Sequence, residues 1–161
     1  MWHKLYKKLL MFWFIAIVVG AVFPSCVLVH GASQGRVSIY EDVAEVSDRN
    51  TVLTRGNYLN YGTITLSRID PMKIRITGDT AAHIVCDKLA IGFYLDKSSD
   101  GDQFASYRHW NFSKENDSFF WKGLELIVPA GQWYRLRGSH IAIVGDDGES
   151  ITTITDGLYV Y

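Results

Sequence analysis

The stretch that decides the fold is Met72–Leu95, MKIRITGDTAAHIVCDKLAIGFYL. Met72, Ile74 and Ile76 alternate with Lys73, Arg75 and Thr77, and further on Leu89, Ile91, Phe93 and Leu95 fall on one side of the chain. A period of two marks a strand with one buried face, because successive side chains leave a pleated backbone in opposite directions. The same alternation recurs outward from this stretch. It runs through Thr63–Leu66, through Lys122–Val128 with Leu124, Leu126 and Val128 set against Gly123 and Glu125, and through Tyr134–Arg137 into Ile141 and Ile143. Val, Ile, Thr and aromatic residues dominate these runs, and they suit a half-buried pleated surface. Gly78-Asp79, Asp100-Gly101, Asp147-Gly148, Asp156-Gly157 and Arg55-Gly56-Asn57 read as turns, where Gly supplies unusual backbone angles and Asp bonds nearby amides. After residue 33 only Val43–Asp48 and Asn111–Asp117 leave room for a short helix. The pattern predicts an all-β fold: an antiparallel β-sandwich of about eight strands, jelly-roll or immunoglobulin-like, with a closed barrel as the alternative. Val37–Tyr40 reads as an edge strand, and Leu158 and Val160 as a last strand that pins the end of the chain within a sheet.

Ahead of this lies a segment of a different kind. Met1–Lys8 carries Lys4, Lys7 and Lys8 and no acid, and Leu9–Val29 carries no charge at all. A basic start, an apolar middle, the helix-breaking Pro24 and small residues at Gly31-Ala32-Ser33 are the layout of an export signal. The division expected is therefore a hydrophobic signal helix over 1–33 and one β-domain over 34–161. A retained membrane anchor is the alternative, since the run is long enough to span a bilayer; lipidation at Cys26 is a third. Each places the domain outside the cytoplasm, secreted or on the outer face of the membrane, and any contact with the membrane is through the uncleaved segment alone. The leader holds three of the sixteen Lys and Arg and none of the seventeen Asp and Glu, so the remainder carries a net charge of −4. Such a balance does not attract a phosphate backbone, and nucleic acid is not an expected partner. Of the two cysteines only Cys86 lies in the domain, so no internal disulfide is expected, and its apolar setting reads as a buried thiol.

Candidate sites are few. Trp110, Phe112, Phe119, Phe120, Trp121, Trp133 and Tyr134 crowd a short region. Aromatic rings fill β cores, but exposed ones stack on sugars, and Trp110, Trp121 and Trp133 are the candidate ligand contacts. Trp110 and Trp121 flank the polar segment Asn111–Ser118 and are the best placed for partial exposure. Asp96–Asp102 resembles the first half of a calcium loop, with Tyr107 where the twelfth-position glutamate belongs; a polar hairpin turn is the simpler reading. His83, His109 and His140 match no zinc spacing, no Gly-x-Ser-x-Gly elbow is present, and Ser139 and His140 diverge on a strand. Glu125 and Glu149 are the carboxylates a glycosidase would call on. Lys73 with Arg75 and Arg135 with Arg137 read as a solvated outer face, with a basic stripe for anionic wall polymers as the functional alternative. Asn111-Phe112-Ser113 and Asn116-Asp117-Ser118 have the form of glycosylation sequons. No catalytic residue, metal site or cofactor is expected. The functional expectation is a non-enzymatic binding or interaction module whose partner is a protein or a glycan, with a carbohydrate-binding module next and a secreted hydrolase third.

Ile74-x-Ile76-x-Gly78-x-Thr80-Ala81, Cys86-Asp87-x-Leu89, Trp133-Tyr134-Arg135-Leu136-Arg137-Gly138-Ser139-His140, Glu149-Ser150 and Thr155-Asp156-Gly157 resemble a family of small, uncharacterised exported proteins of Gram-positive, clostridia-like bacteria. The likeness covers most of residues 50–161. It implies an all-β fold and an envelope or secreted location, and it supplies no activity and no catalytic residues; in such a host the sequons would be idle.

Overall fold

The computed structural model describes residues 43–51 and 57–161. The leader, the Val37–Tyr40 strand and the turn at Arg55-Gly56 lie outside the described residues. Seven antiparallel strands follow one another: β1 (Glu45–Thr51), β2 (Leu59–Asp70), β3 (Lys73–Ser98), β4 (Ala105–Ile127), β5 (Gln132–Val144), β6 (Asp147–Ile154) and β7 (Leu158–Val160). The all-β, antiparallel expectation holds. The two-layered sandwich does not take shape, because every described strand belongs to one hydrogen-bonded sheet, curled into a half-barrel.

The curl originates in β3. One edge of this 26-residue strand carries β4 along its length, so β2 and β5 share the other edge, β2 over Lys73–Ala82 and β5 over Lys88–Ser98. Between these halves β3 spends four residues, 82–85, opposite Ser118 alone, since Ala81 faces Phe119 and Cys86 faces Asp117. A bulge of this kind bends the strand and breaks its alternation. Ile74, Ile76 and Thr80 face the core before it; Leu89, Ile91, Phe93 and Leu95 do so after it. The turn expected at Gly78-Asp79 is therefore a correction: the pair lies inside β3. Gly78 is there for space, because a Cβ would sit 2.7 Å from the Thr63 carbonyl and 2.8 Å from the Phe93 ring. The helical options at Val43–Asp48 and Asn111–Asp117 are likewise strand from Glu45 onward and throughout.

The wings β1–β2 and β5–β6 close on each other through side chains. Asn50 Nδ2 donates to the Thr152 carbonyl at 2.9 Å, and the Ile154 amide donates to Asp48 Oδ2 at 2.8 Å. The concave side holds one large apolar cluster that includes Ile64, Leu66, Ile76, Phe93 and Leu136, and a smaller one of Leu59, Cys86, Leu89 and Ala142. Burying each such side chain is worth about 1.5–3 kcal/mol. Leu158 and Val160 of β7 are fully buried in the large cluster, which anchors that strand as its sequence suggested.

At the meeting of the wings sits His140, fully buried. Its Nδ1 lies 2.9 Å from Thr80 Oγ1 and its Nε2 2.9 Å from Thr153 Oγ1. Thr80 Oγ1 donates to the Ala90 carbonyl, so it accepts from Nδ1–H and leaves Nε2 to accept from Thr153. Gly62 presses against the ring, and Gly138 leaves room beside it. Burial pushes the imidazole pKa down to about 4.

Candidate binding face

The convex side of β1–β4 is a regular surface whose rows follow from register. Ser47, Thr65, Thr77 and Gly123 form one straight cross-strand row. Arg49, Thr63, Asp79 and Trp121 form the row on one side of it, and Glu45, Ser67, Arg75 and Glu125 the row on the other. On β1, β3 and β4 the central row carries the smallest side chain of the three, so the flanking rows stand above it there, while on β2 Thr63, Thr65 and Ser67 lie level.

Trp121 dominates this face and is 57% exposed. Its indole folds along β4 onto Gly123: a Cβ there would lie 2.8 Å from Cη2 and 3.0 Å from Cζ2. Glycine at 123 is therefore a matter of close approach and not of backbone angle. The ring borders an open trough of about 510 Å³, lined by Arg75, Thr77, Trp121, Gly123, Leu124 and Glu125. Across the trough Glu125 takes Arg75 Nη2 at 2.6 Å and Lys73 Nζ at 2.7 Å. Hydrogen bonds from Lys73 and then Arg75 hold its carboxyl below the usual range. The Thr63 hydroxyl donates to Asp79, and the Ser67 hydroxyl donates to Glu45 at 2.7 Å. The Arg49 guanidinium lies over the Tyr61 ring, 4.0 Å from its centroid.

The three tryptophans singled out from the sequence are not brought together. Trp110 pairs with buried Phe93 and packs, half-buried, against the large core cluster on the concave side. Trp133 is half-buried against Gly101, Gly157 and Tyr159, its centroid 5.3 Å from that of Tyr159, and fastens the β3–β4 turn to the end of the chain. Trp121 alone faces outward beside polar groups.

The other charged candidates serve the fold. Asp96 is 2% exposed and receives Arg137 Nε at 2.8 Å and Arg135 Nη2 at 3.1 Å. Burial alone would raise its pKa, but the hydrogen bonds from Arg137 and Arg135 outweigh that and bring it below the ordinary value. Arg135 and Arg137 are thus held by Asp96 and are not a freely solvated stripe. Asp100 accepts from Ser98, Asp102 and Gln103 and caps the β3–β4 turn, with its pKa lowered to about 2 by these bonds, Ser98 foremost. With Asp96 and Asp100 so engaged, this segment is the end of β3 and the polar hairpin turn that follows it. Among the described residues no group of three or more His, Cys, Asp or Glu could hold a metal ion.

Glu149 spans the molecule from β6 to the start of β2, accepting the amides of Asn57, Tyr58 and Leu59 at 2.6, 3.1 and 2.8 Å. Those bonds, led by Leu59, lower its pKa. Cys86 is 1% exposed, and burial, then Asp87 and Glu149, push its thiol pKa up. The His140 and Glu149 arrangements leave no local sequence signature, since each joins residues far apart along the chain.

The family profile that matches this chain spans residues 34–157. The chain belongs to DUF6147, a family of unknown function. No curated protein matches it. Membership in an uncharacterised family agrees with the resemblance drawn from the residues; it does not extend to the bacterial group or to export.

Proposed function

We propose that this chain is a non-enzymatic carbohydrate-binding module, carried out of the cytoplasm by residues 1–33 and engaging its ligand on the convex face of β1–β4. The observation that carries the reading is Trp121, an exposed indole laid along the sheet onto Gly123, beside a trough bordered by Thr77, Arg75 and Glu125. A flat apolar ring next to hydroxyl, guanidinium and carboxylate groups is what a sugar requires: C–H bonds stack on the ring while hydroxyls bond the polar border. The non-enzymatic part is supported by where the titratable groups go. His140 is sealed in the core, Glu149 is occupied by backbone amides, and Glu125 is tied to Lys73 and Arg75.

The test is a glycan array probed with the full chain, followed by tryptophan fluorescence titration of each hit against Trp121→Ala. Binding that Trp121→Ala abolishes and Trp133→Phe retains supports the reading. Silence across the array, or binding indifferent to Trp121, overturns it and returns the chain to a protein-contact role.

A further inference from the structure

Resting on that reading, we infer that the ligand is an uncharged linear glycan that runs across the four strands, along the row Gly123–Thr77–Thr65–Ser47, with one end stacked on Trp121. Two features of the face carry this.

The first is shape. The row crosses β4, β3, β2 and β1 at successive register positions, and its floor is one glycine, two threonines and one serine. Three strand spacings separate the first and last floor residues by roughly 14 Å, so about four pyranose rings lie one over each strand. The groups beside this floor change from strand to strand, so each ring meets its own set: Trp121 and Glu125 first, then Asp79 with Arg75, then Thr63 with Ser67, then Arg49 with Glu45. A short sugar uses only the Trp121 end, whereas a polymer uses the whole row.

The second is charge. The bordering rows hold the cations Arg75 and Arg49 and the carboxylates Glu45, Asp79 and Glu125, and Lys73, one row further out and paired with Glu125, brings the charges into balance. Each is also already engaged: Glu125 by Lys73 and Arg75, Asp79 by Thr63, Glu45 by Ser67, and Arg49 by the Tyr61 ring. At the Trp121 end of the row an anionic polymer would have to break the Arg75–Glu125 pair to find a counter-charge, and it would then face the freed carboxylate. A neutral polyol bonds the remaining lone pairs and N–H groups of these pairs without separating them.

The experiment is calorimetric titration of the full chain with cello-, xylo- and N-acetylglucosamine oligomers of two to six rings, with oligogalacturonates as the charged counterpart. The expected result is an affinity for one uncharged series that climbs ring by ring to about four and then levels, with no comparable gain for the galacturonates. Thr65→Arg, which plants a long side chain in the middle of the floor, lowers affinity for the longest oligomer about tenfold and leaves the dimer unchanged. Ser47→Arg, on the outermost strand where packing demands are least, repeats the test and affects only the longest members. If dimer and hexamer bind equally while Trp121→Ala still abolishes binding, the cross-strand course is overturned and the Trp121 reading stands. Tighter binding of oligogalacturonate overturns the uncharged assignment. No binding by any oligomer or on the array removes both.

Discussion

Protonating His140 should destabilise this domain from within, in a pH window that its carboxylates do not share. The neutral ring accepts from Thr153 and donates to Thr80 in a fully buried site, and burial pushes its pKa to about 4, against about 6.5 in an unfolded chain. A lowered pKa means that the folded state binds fewer protons than the unfolded state between those values. The stability it confers is therefore complete above pH 6.5 and is lost as the pH falls toward 4. At about 1.36 kcal/mol per unit the whole loss is about 3 kcal/mol, of which about 2 kcal/mol is gone by pH 5. Asp96, Glu149 and Glu125 have lowered values, so their contributions persist above the unfolded carboxylate range near pH 4 and fade only below it. Urea unfolding at pH 7 and pH 5 separates the two. The wild-type chain should lose about 2 kcal/mol between these conditions, a sizeable share of an ordinary domain's stability. His140→Gln keeps at most one of the two hydrogen bonds, so it should start about 1 kcal/mol lower at pH 7 and stay flat to pH 5. Equal losses in wild type and His140→Gln, or a His140 imidazole resonance that titrates near 6.5, would refute the reasoning.

Gly123→Ala should leave thermal stability within about 0.5 kcal/mol of wild type, because the new methyl crowds the free end of the Trp121 ring and otherwise meets Thr77 Cγ2 at an ordinary 3.4 Å, yet it should shift the indole emission and remove glycan binding. Gly62→Ala, its counterpart in the core, should cost about 2 kcal/mol or more by urea unfolding, since the methyl meets the enclosed His140 ring. Glu149→Gln should cost about 1–2 kcal/mol at pH 7, and the difference from wild type should vanish as the pH drops below the glutamate range, where the native carboxylate is itself protonated. Thiol labelling should count the same number of reactive groups in wild type and Cys86→Ala in native buffer, and one fewer in the variant once urea is added; equal counts under both conditions would contradict the burial of Cys86.

Alternation was legible because it is local: Ile74/Ile76 and Ile91/Phe93/Leu95 announce buried faces within a few residues of chain. What joined those two runs into a single strand was not legible. Gly78 carries the same sequence signature whether it turns the chain or makes room for Phe93, and only contacts from elsewhere decide. The single curled sheet had no sequence signal either. Half-buried strands that close on one another and half-buried strands that stack in two layers have the same period, and here the choice rests on a three-residue excess in β3, four residues opposite Ser118 alone. Trp110 and Trp121 looked equivalent beside the polar segment between them. They stand an odd number of positions apart on one unbroken β4, so alternation sends Trp110 inward with Phe112, Phe120, Leu124 and Leu126 and leaves Trp121 on the opposite face.

The placement of the glycines ties these findings together. Gly62 and Gly138 empty the space that His140 fills inside the curl, and Gly123 empties the space that Trp121 covers outside it. In each case a missing side chain lets a large ring lie against the backbone, but the consequences differ with solvent. Inside, the ring is trapped between two threonine hydroxyls and becomes a proton-sensitive tie between β3 and the β5–β6 wing. Outside, the ring keeps one face in water and one on the sheet, so its apolar surface remains available to a ligand at no cost to the core. The two sites share no residue: the first draws on Gly62, Thr80, Gly138 and Thr153, the second on Thr77, Trp121, Gly123 and the Arg75–Glu125 pair. Substitutions in one should therefore combine additively with substitutions in the other, which lets acid stability and ligand recognition vary independently on one curled sheet.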